Sequence, residues 1–175
     1  MVERIEVNRD LAPAQLSAHL LNEMGSHARE TLPEECCGLL VGPGPGRFEE
    51  IHRCRNDMTL LHQRDRASYP RDGTRAFHMS EIDYARIQQY AEERGGRVTG
   101  VYHSHVEAGA YFSEMDQQFV LQPLFPFPDA EHFVLAVADR KVREVAVFRW
   151  LPDQERFIGR PVAAEAPLKD RGEAG

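Results

Sequence analysis

The chain has 175 residues, of which 42% are hydrophobic and 9% aromatic, enough for one compact domain with a substantial core. A formal charge of -7, from 21 basic and 28 acidic residues without a basic run, argues against nucleic acid as a partner. No apolar stretch approaches the roughly 20 residues that span a bilayer, and the first residues lack a secretory signal pattern, so we expect no membrane association and a cytoplasmic location. Three cysteines, two of them adjacent, agree with a reducing compartment.

The first half of the chain predicts a helix, a buried hairpin and a long loop. Apolar residues at helical spacing predict a helix over residues 14–27. The apolar run 36–41, closed by a Gly-Pro turn, predicts a strand that pairs with residues 48–54. Residues 55–76 are polar and show no period, so we expect a long loop, a kind of segment that is often functional.

The middle of the chain predicts two helices on either side of a strand. Ser80 followed by Asp83 resembles a capping box, and the helix that it begins should end at Gly95-Gly96. Residues 97–102 form the next strand. Ser113 begins a short third helix that Pro123 stops.

Two strands and a tail complete the prediction. Residues 133–137 and 142–150 indicate a hairpin, whereas the chain from about Pro161 onward has no apolar face. We therefore predict one domain over residues 1–160, a flexible tail over 161–175, and an α/β fold in which helices cover a central sheet.

Two histidines near the end of the 97–102 strand point to metal chemistry. Residues i and i+2 of a strand face the same side, so His103 and His105 can offer two imidazoles to one point. Asp116, in the first turn of the following helix, lies within reach of that point. Two imidazoles and one carboxylate form a zinc ligand set that leaves a coordination position open for water, as hydrolysis requires.

Such a site also needs a proton carrier and a hydrogen-bond donor for the developing oxyanion. Glu35 stands at the start of an apolar strand, where packing alone gives no reason for a carboxylate. Ser113 stands three residues before Asp116. These two residues are the candidates for the catalytic roles.

Each part of this pattern also has a purely structural interpretation. Histidines in a strand are often surface or core residues, and Ser113 with Asp116 is an ordinary helix cap. The combined pattern His-x-His-x7-Ser-x2-Asp should, however, occur by chance in only about one in a thousand sequences of this composition. The adjacent Cys36 and Cys37 should face opposite sides of their strand and therefore act as buried packing residues.

The complete pattern resembles the JAMM, or MPN+, zinc metallopeptidases. Glu35, three residues before Gly38 in an apolar strand, matches the first block of the family pattern, and that spacing selects it over the adjacent Glu34. His103-Ser104-His105, Ser113 and Asp116 match the second block, whereas Val106 and Phe112 replace prolines that are common in the family.

The resemblance implies a curved mixed sheet flanked by helices, with an architecture like that of cytidine deaminases. It implies one zinc ion (Zn2+) held by His103, His105 and Asp116, proton transfer by Glu35 and oxyanion stabilisation by Ser113. It further implies an isopeptidase or peptidase of the bacterial stand-alone type. Such enzymes act after the C-terminal Gly-Gly of a ubiquitin-like or sulfur-carrier protein, including on carrier-cysteine adducts.

Other functions remain open at this stage. A zinc peptidase of different specificity, including a deubiquitinase-like isopeptidase, would use the same residues. A non-catalytic interaction scaffold of the same fold would not need the complete ligand set. A serine hydrolase built on Ser113 is disfavoured because the Gly-x-Ser-x-Gly motif is absent around it.

Overall fold

The computed structural model describes residues 3–166, which form a seven-stranded sheet with helices on both faces. The strands are β1 (Ala14–Leu16), β2 (Cys37–Gly42), β3 (Glu50–Cys54), β4 (Arg97–Val106), β5 (Glu131–Ala138), β6 (Lys141–Leu151) and β7 (Arg156–Ala164). The helices are α1 (Ala18–Thr31), α2 (Met58–Arg64), α3 (Glu81–Glu93) and α4 (Glu114–Val120), with a 3-10 turn over Pro152–Gln154.

The sheet is mixed, with the strand order β1-β7-β6-β5-β4-β2-β3. β1 pairs with β7 and β4 pairs with β5 in parallel, and all other pairs are antiparallel. The predicted α/β fold with a curved mixed sheet is therefore confirmed. No helix within residues 3–166 is long and apolar enough to cross a membrane.

Helices α1 and α3 cover opposite faces of the sheet. Leu20 and Met24 of α1 are buried against Tyr102 of β4 in one cluster. Ile87 and Ala91 of α3 are buried in a second cluster, against β2 and β4. Because the sheet is covered on both faces, all six residues of β2 are buried, as the uninterrupted apolar run predicts.

The helix predicted over residues 14–27 begins later and ends later than expected. Residues 14–16 instead form β1, which pairs with residues 162–164 of β7. The Ser17 side chain accepts a hydrogen bond from the Leu20 N–H and caps α1 at its true start. The helix then continues to Thr31 because Ala28 keeps the apolar face buried.

Two further predictions about chain organisation need correction. Segment 55–76 is not wholly a loop, because α2 lies within it and buries Met58. The predicted tail is ordered into β7 as far as Ala164, where residues 161–164 pair with β6 and β1. The remainder of the predicted tail, from residue 167, lies outside the described residues.

Candidate metal centre and active-site cavity

Strand β4 places His103 and His105 on the same face of the sheet. The strand extends beyond the predicted residue 102 because its parallel pairing with β5 continues to Val106. In that register His103 lies between Cys37 of β2 and Val134 of β5, both fully buried. The histidines are therefore inside the protein, with only 2% and 6% of their surfaces exposed.

Helix α4 brings Asp116 to the two histidines. Ser113 caps the helix: its Oγ accepts the Asp116 N–H at 3.0 Å, and Asp116 Oδ2 accepts the Ser113 N–H at 2.9 Å. This capping box turns the Asp116 carboxylate back toward β4. The carboxylate then lies 3.2 Å from His103 Nε2 through Oδ1 and 3.4 Å from His105 Nε2 through Oδ2.

The three side chains fit a tetrahedral metal ion. Their ligand atoms all lie within 4.8 Å of one another, and the two Nε2 atoms are 3.2 Å apart. Two ligands of a tetrahedral zinc ion, each about 2.1 Å from the metal, are separated by about 3.4 Å. The Nδ1–H of His105 donates to the Gly109 carbonyl at 2.9 Å, which directs Nε2 toward the centre. We call His103, His105 and Asp116 the candidate metal centre.

The pKa shifts of Asp116 and His103 favour the deprotonated forms that bind a metal ion, whereas the shift of His105 does not. Burial acts to raise the pKa of Asp116, but the charges and hydrogen bonds of the two histidines hold it well below its usual range. Burial lowers the pKa of His103 despite the Asp116 charge. Burial also acts to lower the pKa of His105, but the hydrogen bond and the charge of Asp116 outweigh burial and raise that pKa. A cation at the centre would displace the His105 proton, because a metal ligand must be deprotonated.

Glu35 lies at the edge of the same cavity, whereas Glu34 makes a structural contact. Glu35 is 6% exposed, and burial raises the pKa of its carboxyl to about 8. The positive charges of His105 and Arg71 oppose that rise, and the Asp116 charge adds to it. The Glu34 carboxylate instead accepts a hydrogen bond from the Thr59 hydroxyl.

A cavity of about 360 Å³ opens beside the candidate metal centre, and we call it the site cavity. Glu35, Ser113, Tyr111 and Arg71 contribute to its walls, together with His105 and Asp116. A second cavity of about 750 Å³ shares Arg71, Tyr111 and Ser113 with the first, so the two cavities adjoin. All five predicted site residues therefore lie together, four of them lining the site cavity and His103 adjoining it.

Aromatic side chains support the two imidazoles. Phe77 stacks on His103, with ring centroids 4.5 Å apart and planes inclined by 27°. The ring centroids of Tyr111 and His105 are 4.8 Å apart. Phe77 could not be predicted as a site residue, because it follows a polar segment and no sequence pattern marks it. Of the aromatic residues near the motif, Tyr111 lines the cavity, whereas Phe112 is buried in a core cluster.

Segment 55–76 forms one wall of the cavity and is fastened to the start of β2. The Asn56 side-chain amide donates to the carbonyls of Glu35 and Ala76, at 3.0 and 3.1 Å. The Gly73 carbonyl accepts the Glu35 N–H at 2.7 Å, and the Gly73 N–H donates to the Thr59 hydroxyl. The backbone of Glu35 is thus held from both sides by a segment that sequence analysis could identify only as a loop.

The cysteines lie outside this chemistry. Cys36 and Cys37 belong to the clusters on opposite faces of the sheet, as their adjacency predicts. All three cysteines are buried, and burial raises the pKa of the Cys36 thiol to about 12. None of them contributes to the candidate metal centre.

Comparison with known proteins identifies the family of this chain. Residues 17–151 match the model of the prokaryotic homologs of the JAB domain, and the chain belongs to that family. A "CysO-cysteine peptidase" of Mycobacterium tuberculosis is 25% identical over 134 residues, which cover 77% of this chain and 80% of that protein.

Two solved structures share the fold. A protein from Desulfitobacterium hafniense superposes with a TM-score of 0.62 at 20% identity, over 90% of this chain and 96% of its own. A protein from Salinibacter ruber gives a TM-score of 0.58 at 25% identity, over 88% of this chain and 93% of its own.

Proposed function

We propose that this protein is a zinc-dependent peptidase that hydrolyses the bond after the C-terminal Gly-Gly of a ubiquitin-like or sulfur-carrier protein. One observation carries the proposal: two buried imidazoles and a buried carboxylate converge beside a cavity that also contains the buried Glu35. His103, His105 and Asp116 would hold one zinc ion per chain. A zinc ion with three protein ligands supplies Lewis acidity, which makes water a nucleophile near neutral pH.

Glu35 carries the proton in the proposed reaction. The water oxygen bonds to the carbonyl carbon, the C–N bond breaks, and the proton lost by the water passes through the Glu35 carboxyl to the leaving amine. Burial raises the pKa of Glu35 above its usual range, which suits this exchange, because a group that both accepts and donates a proton works best close to the operating pH. The hydrogen bonds to its backbone from segment 55–76 keep the carboxyl at the cavity.

Ser113 stabilises the oxygen of the attacked carbonyl. Its Oγ already accepts the Asp116 N–H, so the hydroxyl hydrogen remains available to a second acceptor. Ser113 lines both cavities, and a donor at that position meets the carbonyl oxygen as negative charge develops on it.

The carrier protein is proposed from chemistry and from one relative. An extended Gly-Gly tail has no side chains and can enter a narrow site that excludes bulkier residues. The similarity to a "CysO-cysteine peptidase" supports a sulfur carrier as the source of that tail. The complete ligand set argues against a scaffold without catalytic activity, since such a protein has no need of a buried His-His-Asp group.

The test uses a sulfur-carrier protein extended by one cysteine beyond its Gly-Gly. Zinc-loaded protein should remove the cysteine, as followed by mass spectrometry, and a copy of the carrier with valine in place of the second glycine should be cut much more slowly. Loss of activity after chelation and its recovery with zinc would separate a metallopeptidase from a serine hydrolase. Equal cleavage of both carriers, or cleavage at unrelated bonds, would contradict the carrier proposal.

A further inference from the structure

An arginine in the wall of the site cavity has no role in the reaction described above. Arg71 belongs to segment 55–76 and lines both the site cavity and the second cavity. Within residues 3–166 its guanidinium forms no ion pair, unlike Arg53, Arg86 and Arg143, each of which contacts a carboxylate. A guanidinium in a cavity wall that has no carboxylate partner within the described part of the chain is suited to bind an anionic group of the substrate.

Several carboxylates near Arg71 have other partners. In the second cavity Glu6 pairs with Arg4 at 2.6 Å, and Glu114 accepts a hydrogen bond from Gln118 at 3.4 Å. Glu107 accepts the Asp139 N–H at 3.0 Å through its Oε1. Asp72, next to Arg71 in sequence, accepts both the N–H and the hydroxyl of Thr74. Neither carboxylate therefore forms an ion pair with the Arg71 guanidinium. Arg75 lines only the site cavity, whereas Arg71 lines both cavities, so Arg71 is the better candidate for a substrate contact.

The position of Arg71 relative to Glu35 indicates which part of the substrate it meets. Glu35 gives its proton to the leaving amine, so the released residue must lie beside the Glu35 carboxyl. Arg71 is close enough to that carboxyl for its charge to act on it. The carboxyl carbon of a single released residue is only two bonds beyond the leaving nitrogen, whereas each further residue moves it by up to about 3.6 Å.

We infer that Arg71 binds the free α-carboxylate of the residue that leaves, and so makes the protein selective for carriers extended by one amino acid. This inference rests on the proposed function. Arg71 is then a specificity-determining residue: it contacts the substrate at a group that does not react. Its planar guanidinium can bond a carboxylate through two parallel N–H donors, a geometry that lysine cannot reproduce.

The test compares three carriers with the zinc-loaded protein. The first ends in Gly-Gly-Cys with a free carboxylate, the second ends in the same cysteine as its carboxamide, and the third carries three residues beyond Gly-Gly. We expect kcat/KM for the first to exceed that for the other two by about tenfold or more, since a hydrogen bond to a charged group contributes 1.5–3 kcal/mol. Arg71→Gln should lose most of this preference by slowing the first carrier, and Arg71→Lys should restore only part of it.

A second arginine in the same segment provides a matched control for the Arg71 variants. Arg64 is exposed in the same segment but lines neither cavity, so Arg64→Gln should retain the preference. If acid and amide are cut equally by the unmodified protein, or if Arg71→Gln slows both equally, the inference is wrong while the proposed function stands. If none of the three carriers is cut after Gly-Gly, the proposed function itself fails.

Discussion

Ser113 and Asp116 bond to each other in both directions, each side chain accepting the backbone N–H of the other at 2.9–3.0 Å. This reciprocal pair begins α4 and also fixes the carboxylate that faces His103 and His105. Structural capping and a functional role for Ser113 are therefore not alternatives, because the bond that caps the helix also orients the candidate ligand.

Replacement of Ser113 should affect both stability and activity. Ser113→Ala should lower the free energy of unfolding by about 1 kcal/mol, the usual cost of losing a helix N-cap, and should reduce kcat. Ser113→Thr retains the hydroxyl and should recover most of both. Ser17→Ala is the matched control, because it removes the cap of α1, away from the cavity. Chemical denaturation and steady-state kinetics would measure the two effects; an equal loss of kcat in Ser17→Ala would assign the effect to stability alone.

The candidate metal centre should hold one zinc ion per chain. His103→Ala, His105→Ala and Asp116→Ala should each lose most of the bound zinc, because two remaining ligands rarely retain a catalytic metal. His132→Ala is a useful comparison, since His132 is a buried histidine on the neighbouring strand β5 that is absent from the ligand group. Metal analysis of the purified variants provides the measurement. Full zinc content in any two of the ligand variants would refute the assignment.

Substitution of the two adjacent glutamates should have different effects, because only Glu35 takes part in the proposed reaction. Glu35→Gln should keep the zinc and the fold yet lower kcat by at least about 100-fold, the lower end of the contribution from general acid-base catalysis. Glu34→Gln should be mild, because the amide oxygen of glutamine can still accept the hydrogen bond from Thr59. The reverse order of effects would make Glu34 the proton carrier and shift the motif by one residue.

Local patterns explain why most of the site was predictable from the sequence. The two-residue period of a strand places His103 and His105 on one face, and the capping box directs Asp116 toward them. Glu35 was distinguished from Glu34 only by the resemblance to a family pattern. The structure adds a physical difference between the two: Glu35 is buried at the cavity, and Glu34 bonds to Thr59.

Features that depend on contacts between residues far apart in sequence could not be predicted. β1 forms because residues 14–16 pair with residues 162–164, and no local pattern records a pairing over about 150 positions. α2 has only seven residues and one buried side chain, Met58, which is too little to produce a helical period. Arg71 and Phe77 lie on either side of Ala76 at the cavity. Asn56 bonds the carbonyls of both Ala76 and Glu35, residues that are 20 and 21 positions away from it in sequence.

A buried histidine away from the site should make stability depend on pH. Nδ1 of His27 and the Tyr102 hydroxyl form a hydrogen bond of 2.7 Å, and burial, aided by the charge of Arg53, lowers the pKa of His27 to about 4. The unfolded chain binds a proton at this histidine below about pH 6.5, whereas the folded chain does not do so until about pH 4. The stability that neutral His27 contributes is therefore present above pH 6.5 and is lost as the pH falls toward 4.

The effect of His27 can be isolated by substitution. Between pH 7 and pH 4.5 the unmodified protein should lose more unfolding free energy than His27→Gln, by on the order of 1–2 kcal/mol. His19→Gln, at an exposed histidine on the same helix, should follow the unmodified protein. Urea denaturation at several pH values supplies the data, and parallel pH profiles for all three proteins would contradict the assignment.

The tip of segment 55–76 should affect binding of the carrier more than the chemical step. Residues 66–68 are exposed, whereas Asn56, Thr59 and Gly73 fasten the base of the segment to the backbone beside Glu35. A variant with 66–68 replaced by three glycines keeps those contacts and should raise KM for a carrier fusion more than it lowers kcat. Asn56→Ala removes the bond to the Glu35 carbonyl and should instead lower kcat, with zinc content unchanged. Steady-state kinetics on both variants would reveal the difference; a fall in kcat alone for the glycine variant would show that the tip acts through the active site and does not bind the carrier.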